Sequence, residues 1–373
     1  MQRPAFDQPG SGGLACSRSC QAEARRYSLC RTIRLTVGLD IPPFEAHPLL
    51  KNGHAMTIAS AFVPRRFQIP AAEPHLFPID AETRLLGHCH WQPDRSKTAP
   101  VLVLVHGLEG SSESNYMWGI AEKAFHRGFH VVRLNQRNCG GTETLTPTLY
   151  NSGMSGDYRA VLEELANRGF GQIFFAGYSM GGNLVAKMAG EFAGDAPGAL
   201  RGVCTVCPSL DMAACADALE RWDNYPYQRH FVSNLMSHFA RKQKLFPQLY
   251  SSNGLPPIRT VRQFDDAIIA PRFGYRDAQD YYEHASAKRV VAQIRVPFLL
   301  LTAQDDPFVP YTLFRGAKVA DNPSIQFVAP RYGGHCGFIS RHAGPERYWA
   351  EQRIVNFCDV IARGKAQVGA ARK

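Results

Sequence analysis

The sequence predicts an α/β fold, a mostly parallel central sheet with helices on both faces and a helical cap inserted late in the chain. Three observations predict it. Short continuous apolar runs such as Val101–Val105 recur along the chain, the pattern of strands buried on both faces. Segments of helical periodicity separate these runs, and strand–helix alternation returns each strand parallel to the last. A single long interruption, residues 208–296, is too long for a loop and carries twelve Trp, Tyr and Phe residues.

Taken in order, residues 56–69, 75–79 and 84–91 read as short entry strands, punctuated by Pro64, Pro70, Pro74, Pro78 and Pro93. The regular alternation begins at 101–105. Residues 115–127 read as a helix, 129–134 as a strand, and 156–168 as a helix with Val161, Leu162 and Leu165 on one side. A strand at 172–176 leads into a helix at 180–191. Strands follow at 203–207, 297–302 and 325–328, and a helix at 346–363 closes the domain. The domain is placed at 43–362, with the cap at 208–296 and a basic tail at 363–373. Residues 1–42 are set apart as a disordered arm, or as translated sequence upstream of the true start. Its first 36 residues carry Arg3, Arg18, Arg25, Arg26, Arg31 and Arg34 against Asp7 and Glu23, with no apolar block of signal-sequence length.

Composition excludes several classes. The 373 residues suffice for a large core, and no run approaches the apolar length of a membrane span. The net charge of +10 is diffuse outside the arm and tail, without the basic stripe and stacking aromatics of a nucleic-acid surface. Ten cysteines without a secretory signal predict reduced thiols and a cytoplasmic location. Cys204 and Cys207 form a C-x-x-C string inside a strand. Their odd spacing predicts opposite faces and a packing role, because no second ligand pair lies nearby in sequence.

The chemistry gathers around Gly177-Tyr178-Ser179-Met180-Gly181, directly behind the apolar run 172–176. Composition alone supplies a Gly-x-Ser-x-Gly string about one time in ten in such a chain, so the context carries the argument. A strand, a turn too sharp for bulky neighbours and a helix would lift the Ser179 hydroxyl above the sheet edge. Serine alone is a weak nucleophile and needs a base held by a carboxylate. Asp305-Asp306-Pro307 follows one later strand and Gly333-Gly334-His335 the next, the order serine, acid, histidine. Asp306, just before proline, is favoured as the acid, and Asp305 is the runner-up. Each residue alone reads as a turn or surface residue, and their joint order overturns that reading. Backbone N–H groups of Met180 and Leu108 are the expected oxyanion donors, with His106 orienting the loop after the first central strand. Arg137 is assigned a structural ion pair. Cys139 and Cys336 lie on loops beside the site, but neither occupies the sharp turn, so neither is read as the nucleophile.

With these segments in place the chain resembles the α/β-hydrolases, and within them the YheT-type branch of predicted esterases. The resemblance rests on Pro48-Leu49-Leu50-Lys51-Asn52-Gly53-His54, His106-Gly107-Leu108-Glu109-Gly110-Ser111, Arg137-Asn138-Cys139-Gly140-Gly141, Tyr150-Asn151-Ser152-Gly153, the serine motif, Asp305-Asp306-Pro307-Phe308 and Gly333-Gly334-His335-Cys336-Gly337-Phe338. It covers residues 43–362. It implies Ser179 as nucleophile, Asp306 as acid and His335 as base, with hydrolysis of short- to medium-chain acyl esters and no cofactor or metal. Asn138 departs from the glycine many relatives carry there. Eukaryotic relatives have a membrane-anchoring N-terminus, which the polar arm here does not match.

The expected activity is therefore a serine esterase acting on small-molecule esters, without nucleic-acid partners. Acyl transfer to an alcohol on the same triad, and a ligand-binding protein without catalysis, are the rival expectations. Cofactor-free peroxidation as a side activity on the same triad is a third rival expectation. Acyl length, alcohol portion and oligomeric state are not legible in the sequence.

Overall fold

In the computed structural model the described residues are 39–316 and 319–364. Of the arm placed at 1–42, residues 1–38 lie outside them, as do residues 365–373 of the tail placed at 363–373. Eight strands form one sheet in the order β1-β2-β4-β3-β5-β6-β7-β8. They are β1 (Glu73–Pro78), β2 (Arg84–His90), β3 (Val101–Val105), β4 (His130–Leu134), β5 (Ile173–Tyr178), β6 (Leu200–Val206), β7 (Phe298–Leu301) and β8 (Ile325–Val328). β2 pairs antiparallel with both β1 and β4, and every other pairing is parallel.

The helices are α1 (Gly53–Phe62), α2 (Asn115–His126), α3 (Ser155–Asn167), α4 (Met180–Phe192), α5 (Met212–Leu219) and α6 (Tyr225–Leu245). A helical stretch α7 follows, formed by Val261–Phe264, a π turn at Asp265–Ile269 and Ala270–Arg272. Then come α8 (Ala278–Ala285), α9 (Thr312–Gly316) and α10 (Trp349–Ala362).

All five residues of β3 are buried, because the sheet is covered on both faces. Val101, Val103 and Val105 pack with α3, α4 and the cap, while Leu102 and Leu104 pack with α2 and α10. This alternation is the period of two expected of a strand. The stretch 208–296 is mostly helical, as the sequence suggested. One side chain fastens it to the sheet layer. Asn183 on α4 donates to the carbonyls of Ser152 and Ala285, and accepts the Ala287 N–H at 2.8 Å.

Two expectations need correction. Residues 56–69 do not open with a strand. Asn52 caps α1 by accepting the Ala55 N–H at 3.1 Å, and the helix ends at Val63, extended before Pro64. Met56 and Thr57 are buried while Ile58 is exposed, so neighbouring burial follows a helical face and not a two-residue alternation. Cys204 and Cys207 also do not face opposite sides, and both belong to the core shared with α2 and α10. β6 ends at Val206, and Cys207 turns out of the strand with φ 46°.

Candidate active site

β5 aims its C-terminal end at a sharp turn. Ser179 adopts φ 53° and ψ −119°, a strained conformation for a side chain with a Cβ. Its N–H donates to the Val206 carbonyl of the neighbouring strand at 2.9 Å, which helps to hold the turn. The flanking glycines are required by close approach. A Cβ on Gly177 would sit 2.2 Å from the Gly181 carbonyl oxygen, and one on Gly181 would sit 2.3 Å from that of His106. Met180 is the first residue of α4, so its N–H has no partner inside the helix.

The loop after β3 brings up the second expected donor. The Gly107 N–H donates to the Tyr116 hydroxyl at 3.0 Å, and the Glu109 N–H to that of Tyr150 at 3.2 Å. Among the described residues the Leu108 N–H between them has no acceptor. His106 is buried behind this loop. Its Nδ1–H donates to the Gly107 carbonyl at 2.8 Å and its Nε2 accepts the Gln136 N–H at 3.1 Å. Burial pushes this imidazole down to about 4, so it stays neutral and holds the loop.

The two later loops bring acid and histidine together. His335 Nδ1 lies 2.9 Å from Oδ2 and 3.1 Å from Oδ1 of Asp306. The Asp306 side chain is wholly buried, and its Oδ1 accepts the N–H groups of Phe308 at 2.8 Å and Val309 at 3.0 Å. Burial draws the His335 imidazole down. The Asp306 carboxylate overcomes that, with Cys336 adding to it, and leaves it well above the ordinary histidine value. Asp305 does not reach the imidazole. It accepts the Gly334 N–H at 2.9 Å and so pins the histidine loop, and burial raises its carboxyl. Among the described residues no hydrogen bond joins Ser179 to His335. Both side chains nevertheless line the same two cavities, and such contacts are often long before substrate binds.

The two cavities share Leu108, Ser179, Phe231 and His335. The inner one lies under the cap, encloses about 80 Å³, and has a largely apolar lining that includes Leu219, Leu235, Val261, Phe264 and Ile269. Its polar lining residues include Asn151, Ser152, Ser209 and Asp265, and Asp265 accepts the Tyr282 hydroxyl at 2.7 Å and is pushed up by burial to about 7. The outer cavity, about 310 Å³, is edged by Thr57, Ser60, Arg65, Asn115, Tyr348 and Glu351. Of the cap aromatics, Phe231, Phe264, Tyr281 and Tyr282 line the inner cavity, whereas Trp222 and Tyr225 point to solvent.

Arg137 forms a two-pronged pair with Asp157, at 2.7 and 2.6 Å, away from both cavities. Asn138 stands at φ 66° and donates from its side-chain amide to the Thr148 carbonyl, so it fills the left-handed position glycine would take. Sequence reasoning missed Thr57. Its hydroxyl accepts the His335 N–H at 2.8 Å and donates to the Gly53 carbonyl at 2.6 Å, so α1 positions the histidine loop. Only the neighbouring Asn52-Gly53-His54 segment hinted that this region matters.

The sequence matches the alpha/beta hydrolase fold family over residues 100–341. The Escherichia coli K12 protein named "Putative esterase YheT" is 32% identical over 278 residues, covering 74% of this chain and 81% of that protein. The chain belongs to the α/β-hydrolases, in their YheT-type branch. Two other relatives of this α/β-hydrolase bear lipid-related names. The Saccharomyces cerevisiae protein named "Monoacylglycerol lipase" is 29% identical over 74% of this chain and 63% of its own length. The mouse protein named "Phospholipase ABHD3" is 29% identical over 65% of this chain and 59% of its own. The solved structure of a 2,6-dihydroxy-pseudo-oxynicotine hydrolase shares the fold, with TM-score 0.54 and 14% identity over 84% of this chain and 72% of that one. Among the described residues no helix is long and apolar enough to cross a membrane.

Proposed function

We propose that this α/β-hydrolase cleaves carboxylic esters of short- to medium-chain acids through an acyl-serine intermediate. The observation that carries the reading is the position of Ser179, on a strained turn where the two cavities meet, with His335, held from behind by Asp306, lining both of them. His335 Nε2 takes the Ser179 proton as Oγ attacks the ester carbonyl. The Met180 and Leu108 N–H groups receive the oxyanion, and Asp306 stabilises the imidazolium. The protonated imidazole then gives its proton to the departing alcohol. Water, activated by His335, attacks the acyl-enzyme, and the acid leaves as Ser179 regains its proton.

The cavities divide the substrate. The inner one suits an acyl tail because its lining is apolar and its volume is small. About 80 Å³ holds only a handful of waters at about 10–15 Å³ each. The outer one suits the alcohol and the attacking water. The names of the relatives support ester hydrolysis as the reaction class. Hydrolysis of p-nitrophenyl esters of graded chain length tests the reading. Activity equal in the wild type and in Ser179→Ala would overturn it.

A further inference from the structure

Cys207, His335 and Cys336 are brought to one point by two different parts of the sheet edge. Cys207 leaves β6, and the histidine and its neighbour sit on the loop after β8. A ring nitrogen of His335 and the two sulfurs all lie within 4.8 Å of one another. In a tetrahedral zinc site, Zn–S of about 2.3 Å and Zn–N of about 2.0–2.1 Å put neighbouring donors roughly 3.5–3.8 Å apart. The three donors therefore need to close by at most about 1.3 Å around an ion.

We propose that these three side chains form a binding site for a soft divalent cation of the zinc type, and that its occupation switches the enzyme off. Donor chemistry favours such an ion, because thiolate and imidazole select zinc over the oxygen-seeking magnesium and calcium. Two thiolates and a neutral imidazole balance a dication. The surroundings already supply outer support. The Cys336 N–H donates to Cys207 Sγ at 3.4 Å, a contact that strengthens when the sulfur is a thiolate. Each thiol otherwise has only a weak acceptor, Gly334 O for Cys207 at 3.6 Å and Val206 O for Cys336 at 3.7 Å. Those protons leave as the metal enters. Access comes from the outer cavity, which His335 and Cys336 both line and where Cys336 is only partly buried.

Asp306 holds Nδ1 of the imidazole, so the lone pair open to an ion is the one on Nε2. An ion that takes it withdraws the base from Ser179. This inhibition rests on the reading of His335 as the base, whereas the binding itself does not.

The test uses the full chain, reduced and stripped of metal, titrated with Co²⁺ and separately with Zn²⁺. One cobalt per chain with a thiolate-to-cobalt charge-transfer band is expected, together with loss of p-nitrophenyl ester hydrolysis on adding Zn²⁺ and recovery with a chelator. Cys336→Ala should abolish the band and raise the inhibitory zinc concentration at least about tenfold. Cys207→Ala should do the same, and the partly exposed Cys336 position carries the test if the buried one fails to fold. The cobalt band is read without any turnover. Its absence in the wild type, or its persistence in both variants, overturns the site whatever becomes of the ester reading. A band accompanied by activity that zinc leaves untouched overturns the inhibition.

Discussion

Asp306 accepts the Nδ1–H of His335 at 2.9 Å while its carboxylate is closed off from solvent and held by two backbone N–H groups. Its neighbour Asp305 faces the other way and grips the Gly334 N–H. Two adjacent carboxylates thus have separate tasks, one aimed at the imidazole and one at the loop that carries it.

That separation is measurable. Asp306→Asn is expected to lower kcat by about 10⁴-fold, by analogy with the loss of the orienting acid in serine triads. Asp305→Asn keeps an acceptor for Gly334 and should stay within about tenfold of wild type, since the orienting carboxylate is intact. Equal losses in steady-state assays would return the choice between the two to open.

The pH profile follows from the sign of the His335 shift. The proposed base must be neutral to act, and the imidazole is held well above the ordinary histidine value by Asp306 against the pull of burial. Activity should rise with pH along a limb that lies above the ordinary histidine range. In Asp306→Asn the main raising cause is gone, so the residual activity should rise along a limb at lower pH. A kcat/KM profile of both proteins reads this directly.

Gly181→Ala places a Cβ 2.3 Å from the His106 carbonyl oxygen and 2.5 Å from that of Val105, both backbone atoms of the central sheet edge. Neither retreats without moving β3. A loss of more than about 3 kcal/mol in a urea melt is expected, as for overpacking in a close-packed core. A variant as stable as wild type would show that the turn is not confined.

Asp265 gives a second pH test, of stability. Burial raises its carboxyl from 3.8 to about 7, against the Tyr282 hydrogen bond and Arg262. A raised carboxyl favours the folded state fully below the unfolded value and loses that advantage as pH rises through the folded one. The wild type should therefore lose up to a few kcal/mol between about pH 4 and 7, at about 1.4 kcal/mol per pKa unit. Asp265→Asn should not share that loss. Parallel curves of Tm against pH for the two proteins would refute the assignment.

Ala216 lines the inner cavity and is buried against α5's neighbours. Ala216→Leu adds three carbons to a space of about 80 Å³. The preferred p-nitrophenyl ester should shift to a shorter acyl chain, with kcat/KM for the longest accepted ester falling about tenfold or more, since one misfitting methylene alone is worth about 1–3 kcal/mol. A uniform fall across chain lengths would place the acyl tail elsewhere.

Much of this arrangement was legible in the letters. Strand ends announce themselves, and Ser179, Asp306 and His335 follow β5, β7 and β8 by one, five and seven residues, so their convergence at one sheet edge follows from chain order. The helix at Gly53–Phe62 was not legible. Its scattered apolar residues and the nearby Pro64 resemble an interrupted strand, and only the Asn52 cap and the packing of Met56 and Thr57 under the histidine loop decide for a helix. The turn of Cys207 is another such case. One residue with a left-handed backbone reverses the face that alternation predicts.

By itself the sequence determined the alternating α/β architecture, the serine turn and the order of its partners. These are local properties of burial pattern and steric allowance, and they are written over a few residues at a time. Tertiary structure decided which aspartate meets the histidine, that Thr57 supports it, which aromatics face the inner cavity, and that two cysteines meet beside His335. Those relations join residues far apart in the chain, such as Cys207 with Cys336 and Thr57 with His335. Their distances are fixed only when the sheet closes and the cap packs against it.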